Sequence, residues 1–297
     1  MDSFSKNVKI NWKEPFKIHK KKVTAQNEAQ KIQIPTSSFF SKQIEILEKL
    51  KKKQLKKVVC LVGAGISVGA GIPDFRTPKQ GLFAKFADYN VPYPEALFEK
   101  EYFIDDPLPI YKLIREILEL NPVPTPCHHF LKLLEDKKIL HFLFTQNIDG
   151  LERKAGIRET KFIEAHGTLD QVSCLKCKKT AQTSSIKEII LKGTIPYCQC
   201  GGLFRPKVLF YEEKMPVKFT NNAIKVTEAD LVIIIGTSLK VAPFDGLLKL
   251  IDQNTPIILI NKEKIEFKQK ENVTFFIGDA QEIIQQISNF LQWELCC

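Results

Sequence analysis

No apolar run in this 297-residue sequence reaches the ~20 residues that a membrane-spanning helix needs. Residues 1–9 are polar and lack the apolar stretch of a secretory signal, and Asp2 stands where N-myristoylation requires glycine. The expectation is therefore an intracellular protein, nuclear or cytoplasmic, with no transmembrane segment. Internal repeats are missing, as are low-complexity tracts beyond the lysines. Excess charge is missing from most of the chain as well. The formal net charge is +10, yet residues 1–57 hold 15 lysines against 5 acidic residues, which leaves 29 basic and 29 acidic groups in the remainder. Such a lysine-rich leader reads as a solvated or targeting segment. A neutral core argues against a dedicated nucleic-acid site within it.

What is present is ordinary globular material, 44% hydrophobic and 26% charged, long enough for one large domain and a smaller one. Residues 1–40 show little periodicity and read as a basic, mostly irregular extension; 294–297 read as a tail ending in Cys296 and Cys297. Residues 42–55 place Ile44, Ile46, Leu47, Leu50 and Leu55 near helical spacing. Short apolar runs follow at 58–62, 139–144, 231–235, 257–260 and 273–277, with helical patterns between them, such as 130–134 and 280–293. Continuous apolar strands alternating with helices predict an α/β fold, a parallel sheet covered on both faces. The interval 167–216 breaks this rhythm and reads as an inserted module.

Five motifs sit beside those strands. Gly63-Ala64-Gly65-Ile66-Ser67 follows a buried strand, and such glycines let the backbone approach a diphosphate. The usual dinucleotide fingerprint is incomplete, because Val68 takes its third glycine position and no ribose-binding carboxylate is evident. Gly71-Ile72-Pro73-Asp74-Phe75-Arg76 is too rich in glycine and proline for a helix. Thr145-Gln146-Asn147-Ile148-Asp149-Gly150 and Gly236-Thr237-Ser238-Leu239 both close predicted strands, and Glu164-Ala165-His166-Gly167 lies between them. Carboxyl ends of parallel strands are where such sheets place their chemistry.

In order and spacing these motifs, with a cysteine quartet and a strand ending in Asn261, resemble the sirtuin family over about residues 40–293. The stretch from Gly81-Leu82-Phe83 through Pro92-Tyr93-Pro94 to Tyr102-Phe103 is most similar to its eukaryotic deacetylase branch, class I. The resemblance implies a Rossmann-like domain at 41–293, carrying a helical insertion at about 80–125 and a zinc-binding module at about 167–216. It also implies an NAD-dependent protein lysine deacylase that moves the acyl group to ADP-ribose and releases nicotinamide. Acylated-lysine proteins would be the substrates, histone tails or other basic proteins among them. The same NAD cleavage serves mono-ADP-ribosyl transfer, and a zinc-stabilised chromatin scaffold with a decayed pocket is the non-enzymatic alternative.

By resemblance, His166 is the general base, with Asn147 also catalytic; imidazole titrates near neutrality, as a base for a ribose hydroxyl must. Gly63, Ala64, Gly65, Ile66 and Ser67 would line the diphosphate. Asp74, Phe75 and Arg76 would close over the cofactor and keep water off the ribose. Gln146 would meet the nicotinamide ribose, and Asn147, Ile148 and Asp149 the nicotinamide. Gly236, Thr237 and Ser238 would bind phosphate and ribose, and Asn261, Lys262, Glu263 and Ala280 the adenosine end. Val208, Leu209, Phe210, Tyr211 and Glu213 would form the substrate segment, where an extended peptide pairs as an added strand. Phe210 and Tyr211 would wall an apolar tunnel there. Lys207 and Glu212 depart from the family pattern, Glu212 standing where glycine is usual. No arginine lies between Arg76 and Arg115, so an uncharged acyl group, acetyl or longer, is expected.

Cys174-Leu175-Lys176-Cys177 and Cys198-Gln199-Cys200 are separated by 20 residues. Two short cysteine loops supply the four ligands of a tetrahedral zinc ion, and with every ligand a protein atom the site would be structural. The second loop is one residue shorter than usual. Cys60, in an apolar strand, reads as packing.

Overall fold

The computed structural model describes residues 40–74, 88–265 and 272–295, together with the backbone of residues 17–18. The expectations placed on the rest of residues 1–39, on Phe75, Arg76 and Gly81-Leu82-Phe83, and on Cys296 and Cys297 lie outside the described residues.

Two strands and a helix open the described chain: β1 (Lys17–Ile18), α1 (Ser41–Lys51) and β2 (Val58–Val62). The large lobe is built on a six-stranded sheet in the order β11-β10-β8-β2-β3-β4, where β3 is Leu140–Thr145, β4 Phe162–Glu164, β8 Leu231–Ile235, β10 Ile257–Asn261 and β11 Val273–Ile277. Every pairing in it is parallel. The central strand β2 shows why an unbroken apolar run was needed. All five of its side chains are buried, with Val58, Cys60 and Val62 on one face and Val59 and Leu61 on the other.

The first face is covered by α1, α4 (Pro126–Asp136) and α8 (Ala280–Leu291), through Leu47, Leu50, Leu131, Leu134, Ile284 and Ile287. Against the second face pack Phe219 of α7 (Val217–Asn222) and, from the 3-10 turn Phe244–Leu250, Phe244 and Leu247. Helix boundaries follow local chemistry. Asp279 caps α8 by accepting from the Gln281 and Glu282 amides, and Gln292 ends it in a left-handed conformation two residues before the expected limit. Thr125 and Pro126 open α4. After β2 no α-helix forms; two 3-10 turns, Ala64–Ile66 and Val68–Ala70, occupy that place.

The small lobe contains an antiparallel sheet in the order β6-β5-β7 (Thr180–Gln182, Gly167–Cys174, Phe204–Val208) and a short helix, α6 (Lys187–Leu191). Two further helices, α2 (Lys100–Asp105) and α3 (Leu108–Leu120), share its core. Phe103, Ile110 and Ile114 pack in one apolar cluster with Val172, Cys174, Ile190 and Phe204. Residues 89–114 and 169–210, which fall in the two insertions expected separately, thus share one apolar core. β1 pairs antiparallel with β9 (Val241–Ala242). Among the described residues no helix is long and apolar enough to cross a membrane.

Candidate functional site

The loops that leave β2, β3, β4 and β8 converge at the carboxyl edge of the parallel sheet. Two of them cross in backbone contact. The Gly65 amide donates to the Gly236 carbonyl at 2.8 Å, and a Cβ on Gly65 would stand 2.5 Å from the Gly236 Cα. Gly236 in turn holds φ +60°, and its own Cβ would meet the Gly65 Cα at 2.6 Å. Both motifs carry glycine because each leaves no room for a side chain on the other.

The loop after β3 fills the space beneath this crossing. Gln146 accepts from the Thr237 hydroxyl through Oε1 at 2.5 Å. Asn147 donates through Nδ2 to the Ser67 hydroxyl (3.1 Å) and the Gly63 carbonyl (3.3 Å). Ser67 passes its own proton toward Asp149 Oδ2 at 2.7 Å, while Asp149 Oδ1 accepts from the Leu151 amide at 2.9 Å. Leu151 opens the single-turn helix α5 (Leu151–Lys154). Ser67, Asn147 and Asp149 are all buried, and that burial raises the Asp149 pKa above the ordinary carboxylate range.

His166 stands at the end of β4. Its Nδ1 lies 3.1 Å from the Gln146 carbonyl oxygen, which only accepts, so Nδ1 carries the proton and Nε2 the lone pair. Burial of the ring lowers its pKa to about 4, and Nε2 itself is covered. At neutral pH the ring is an uncharged base with a defined tautomer. Phe244 packs beside it, ring centroids 6.2 Å apart. The His166 carbonyl accepts from the Leu209 amide at 2.7 Å, tying the base to the segment after β7.

That segment alternates between the lobes. Leu209 faces the cluster that contains Phe244, whereas Val208 and Phe210 belong to the small-lobe cluster. Phe210 is buried, stacked on Phe103 at 5.5 Å with the Arg205 guanidinium 4.4 Å from its centroid. Glu213 turns inward, accepting from Arg205 (2.5 Å) and from the Phe210 amide (3.0 Å). Tyr211 is half-buried, its amide donating to the Phe98 carbonyl at 2.9 Å. Glu212 is exposed at φ +67°.

At the far end of the cleft, Asn261 caps β10 by donating to the Glu263 carbonyl at 3.0 Å. Lys262 is exposed, 3.8 Å from Asp279. Ala280 is buried at the start of α8. Ser238 and Asp74 are half-buried, as is Ile148, whose carbonyl accepts from the Leu169 amide at 2.8 Å and so links the lobes. Two unforeseen residues brace the glycine loop: Thr125 Oγ1 and Gln281 Nε2 both donate to the Ile66 carbonyl, at 2.8 and 2.9 Å. Nothing in their local sequence marks them, since both act across long chain separations. A cavity of about 330 Å³ opens between α3, α5 and β5 and is lined by Asp149, Arg153 and Leu169, not by His166.

The four expected cysteines meet. Their sulfurs lie within 4.8 Å of one another, with Cys174 to Cys200 at 3.4 Å and Cys177 to Cys198 at 3.7 Å. A tetrahedron of Zn–S bonds of ~2.3 Å has edges of about 3.8 Å, so the donor set and spacing fit zinc. The Cys177 amide donates to Cys174 Sγ and draws that thiol down to about 6, toward the thiolate a metal requires.

A family model described as the Sir2 family matches residues 63–243. The NAD-dependent deacetylase sir2A of Dictyostelium discoideum is 39% identical over 290 residues, covering 92% of this chain and 56% of its own length. The NAD-dependent protein deacetylase hst2 of Schizosaccharomyces pombe is 37% identical over 257 residues, covering 85% of this chain and 77% of its own length. The NAD-dependent protein deacetylase sirtuin-3 of Mus musculus is 36% identical over 258 residues, with 86% and 77% covered. The chain thus spans little more than half the length of the Dictyostelium protein.

Proposed function

The chain belongs to the Sir2 family, and from that premise we propose that it is an NAD-dependent protein lysine deacetylase. The observation that carries the proposal is His166, held by the Gln146 carbonyl with an unprotonated Nε2 beside the crossed glycine loops. NAD⁺, when bound, supplies the ribosyl carbon that accepts the acyl oxygen and loses nicotinamide. The side-chain-free crossing of Gly65 and Gly236 suits a diphosphate, with Ala64, Ser67, Thr237 and Ser238 beside it. Asn147 and Asp149 offer the amide and carboxylate that match a carboxamide. Asn261, Lys262, Glu263 and Ala280 would hold the adenosine end.

His166 takes a proton at Nε2 from a ribose hydroxyl, and Gln146 keeps the ring from turning while it does so. Leu209, with Phe210 and Tyr211, would form the apolar side of the acyl-lysine passage. An incoming peptide pairs along the strand edge at Leu209, beside the exposed Glu212, and that carboxylate favours basic peptides such as histone tails. The four cysteines hold one structural zinc.

Incubation with an acetylated histone-tail peptide tests this reading. Deacetylation is expected only with NAD⁺, with nicotinamide released stoichiometrically, and His166→Tyr is expected to lower kcat by at least about 100-fold. Turnover without NAD⁺, or an ADP-ribosylated peptide in place of a deacetylated one, would reject it.

A further inference from the structure

Behind the Asp149 loop lie two fully buried ionisable side chains that the mechanism above does not use, His128 of α4 and Glu152 of α5. One nitrogen of His128 and one oxygen each of Asp149 and Glu152 fall within 4.8 Å of one another. Neither Glu152 oxygen has a hydrogen-bond partner, and neither does His128 Nε2.

Hydrogen bonding decides what this cluster holds. His128 Nδ1 faces both the Thr125 amide at 3.1 Å and the Thr125 hydroxyl at 2.8 Å; the amide hydrogen is fixed and needs an acceptor, which assigns the Nδ1 lone pair to it and the proton of a neutral His128 to Nε2. Burial keeps it neutral by lowering its pKa to about 3. An Nε2 that bears a proton cannot ligate a cation, and a metal is thereby disfavoured. With no carboxyl in direct hydrogen-bond reach, it can donate to one through a bridging water. The two carboxyls, buried together, cannot both ionise cheaply. Asp149 already receives the Ser67 hydroxyl and the Leu151 amide, which stabilise its anion. Glu152 has only the Thr145 hydroxyl and its own amide nearby, neither in a formed hydrogen bond.

We propose that His128, Glu152 and Asp149 form a buried proton-sharing cluster, in which Glu152 keeps the proton and Asp149 is thereby held as a single, oriented anion at the nicotinamide end of the site. Glu152 and His128 are positioning residues, and their service to the cofactor rests on the function proposed above. Burial and the neighbouring Asp149 raise the Glu152 pKa to about 8. The charges facing the cluster are Glu164 of β4, Asp170 of β5 and Lys154 of α5, with His129 beside His128. Arg153 binds both Glu164 (2.9 Å) and Asp170 (3.0 Å) and offsets them.

Glu152→Gln keeps the shape and a hydrogen-bond donor but cannot ionise. The full chain and this variant should be compared from about pH 6.5 to about pH 9.5 in two ways. A folded-state pKa above the unfolded one means that stability falls as pH rises through the window between them. The melting temperature of the wild type is therefore expected to drop relative to the variant up to about pH 8 and to run parallel to it above that. In steady-state kinetics the wild-type KM for NAD⁺ is expected to rise about tenfold by one pH unit beyond the Glu152 ionisation, with a smaller change in kcat. The variant's KM should stay flat. Melting profiles parallel over the whole range overturn the cluster. Diverging profiles with identical alkaline limbs in KM overturn its link to the cofactor. If neither protein consumes NAD⁺, the parent reading fails instead, and the melting comparison alone judges the shared proton.

Discussion

Glu212 sits at φ +67°, in the left-handed region that costs a residue with a Cβ about 1–2 kcal/mol. The backbone has kept the conformation that a glycine would supply, and the strain is the residue's own. Glu212→Gly is therefore expected to stabilise the fold by about 0.5–1 kcal/mol, after allowing for the greater freedom of glycine in the unfolded chain. The denaturant midpoint checks this. This position was legible in advance as a departure from pattern, although its strain was not, because no local signal reports a dihedral angle. His166 was legible only through the family context of its neighbours. Its tautomer needed the Gln146 carbonyl, a contact made across 20 residues of chain. The stacking of Phe210 on Phe103 was not legible either, because the two lie far apart in the chain.

At the scale of elements, the parallel strands were readable because burial on both faces leaves an unbroken apolar run, as in β2 and β8. The single-turn α5 and the 3-10 turns after β2 were not, being too short for periodicity to register. Nor was the union of α2 and α3 with the cysteine-bearing sheet, which rests on contacts between residues far apart in the chain, such as the Tyr111 hydroxyl on the Phe204 carbonyl at 2.8 Å, 93 positions away. Cys174 and Cys198 belong to that shared core, so the metal and the apolar cluster stabilise one unit. Stripping zinc with a strong chelator is expected to raise amide hydrogen exchange in β5, β6 and β7 well before β2 and β8 respond. Equal protection with and without the chelator would show that the thiolates hold no structural ion.

For the molecule as a whole, the proposed reactive centre belongs to no single stretch of chain. Gly65, Gln146, His166 and Gly236 come from four separate strand ends, and the bonds that join them span from 20 to 171 positions. Chain closure over such distances comes late, since each contact must first repay the entropy of a long loop. On dilution from denaturant with zinc present, recovery of helical circular dichroism is expected to precede recovery of NAD⁺ turnover. Simultaneous recovery would place the crossing of the two glycine loops in the earliest folded species. The crossing of Gly65 over Gly236 thus also acts as a completeness check: a nascent chain stopped short of its eighth strand has the proposed base, amide and carboxylate but no second loop to cross the first, and is expected to stay chemically silent until that strand is made.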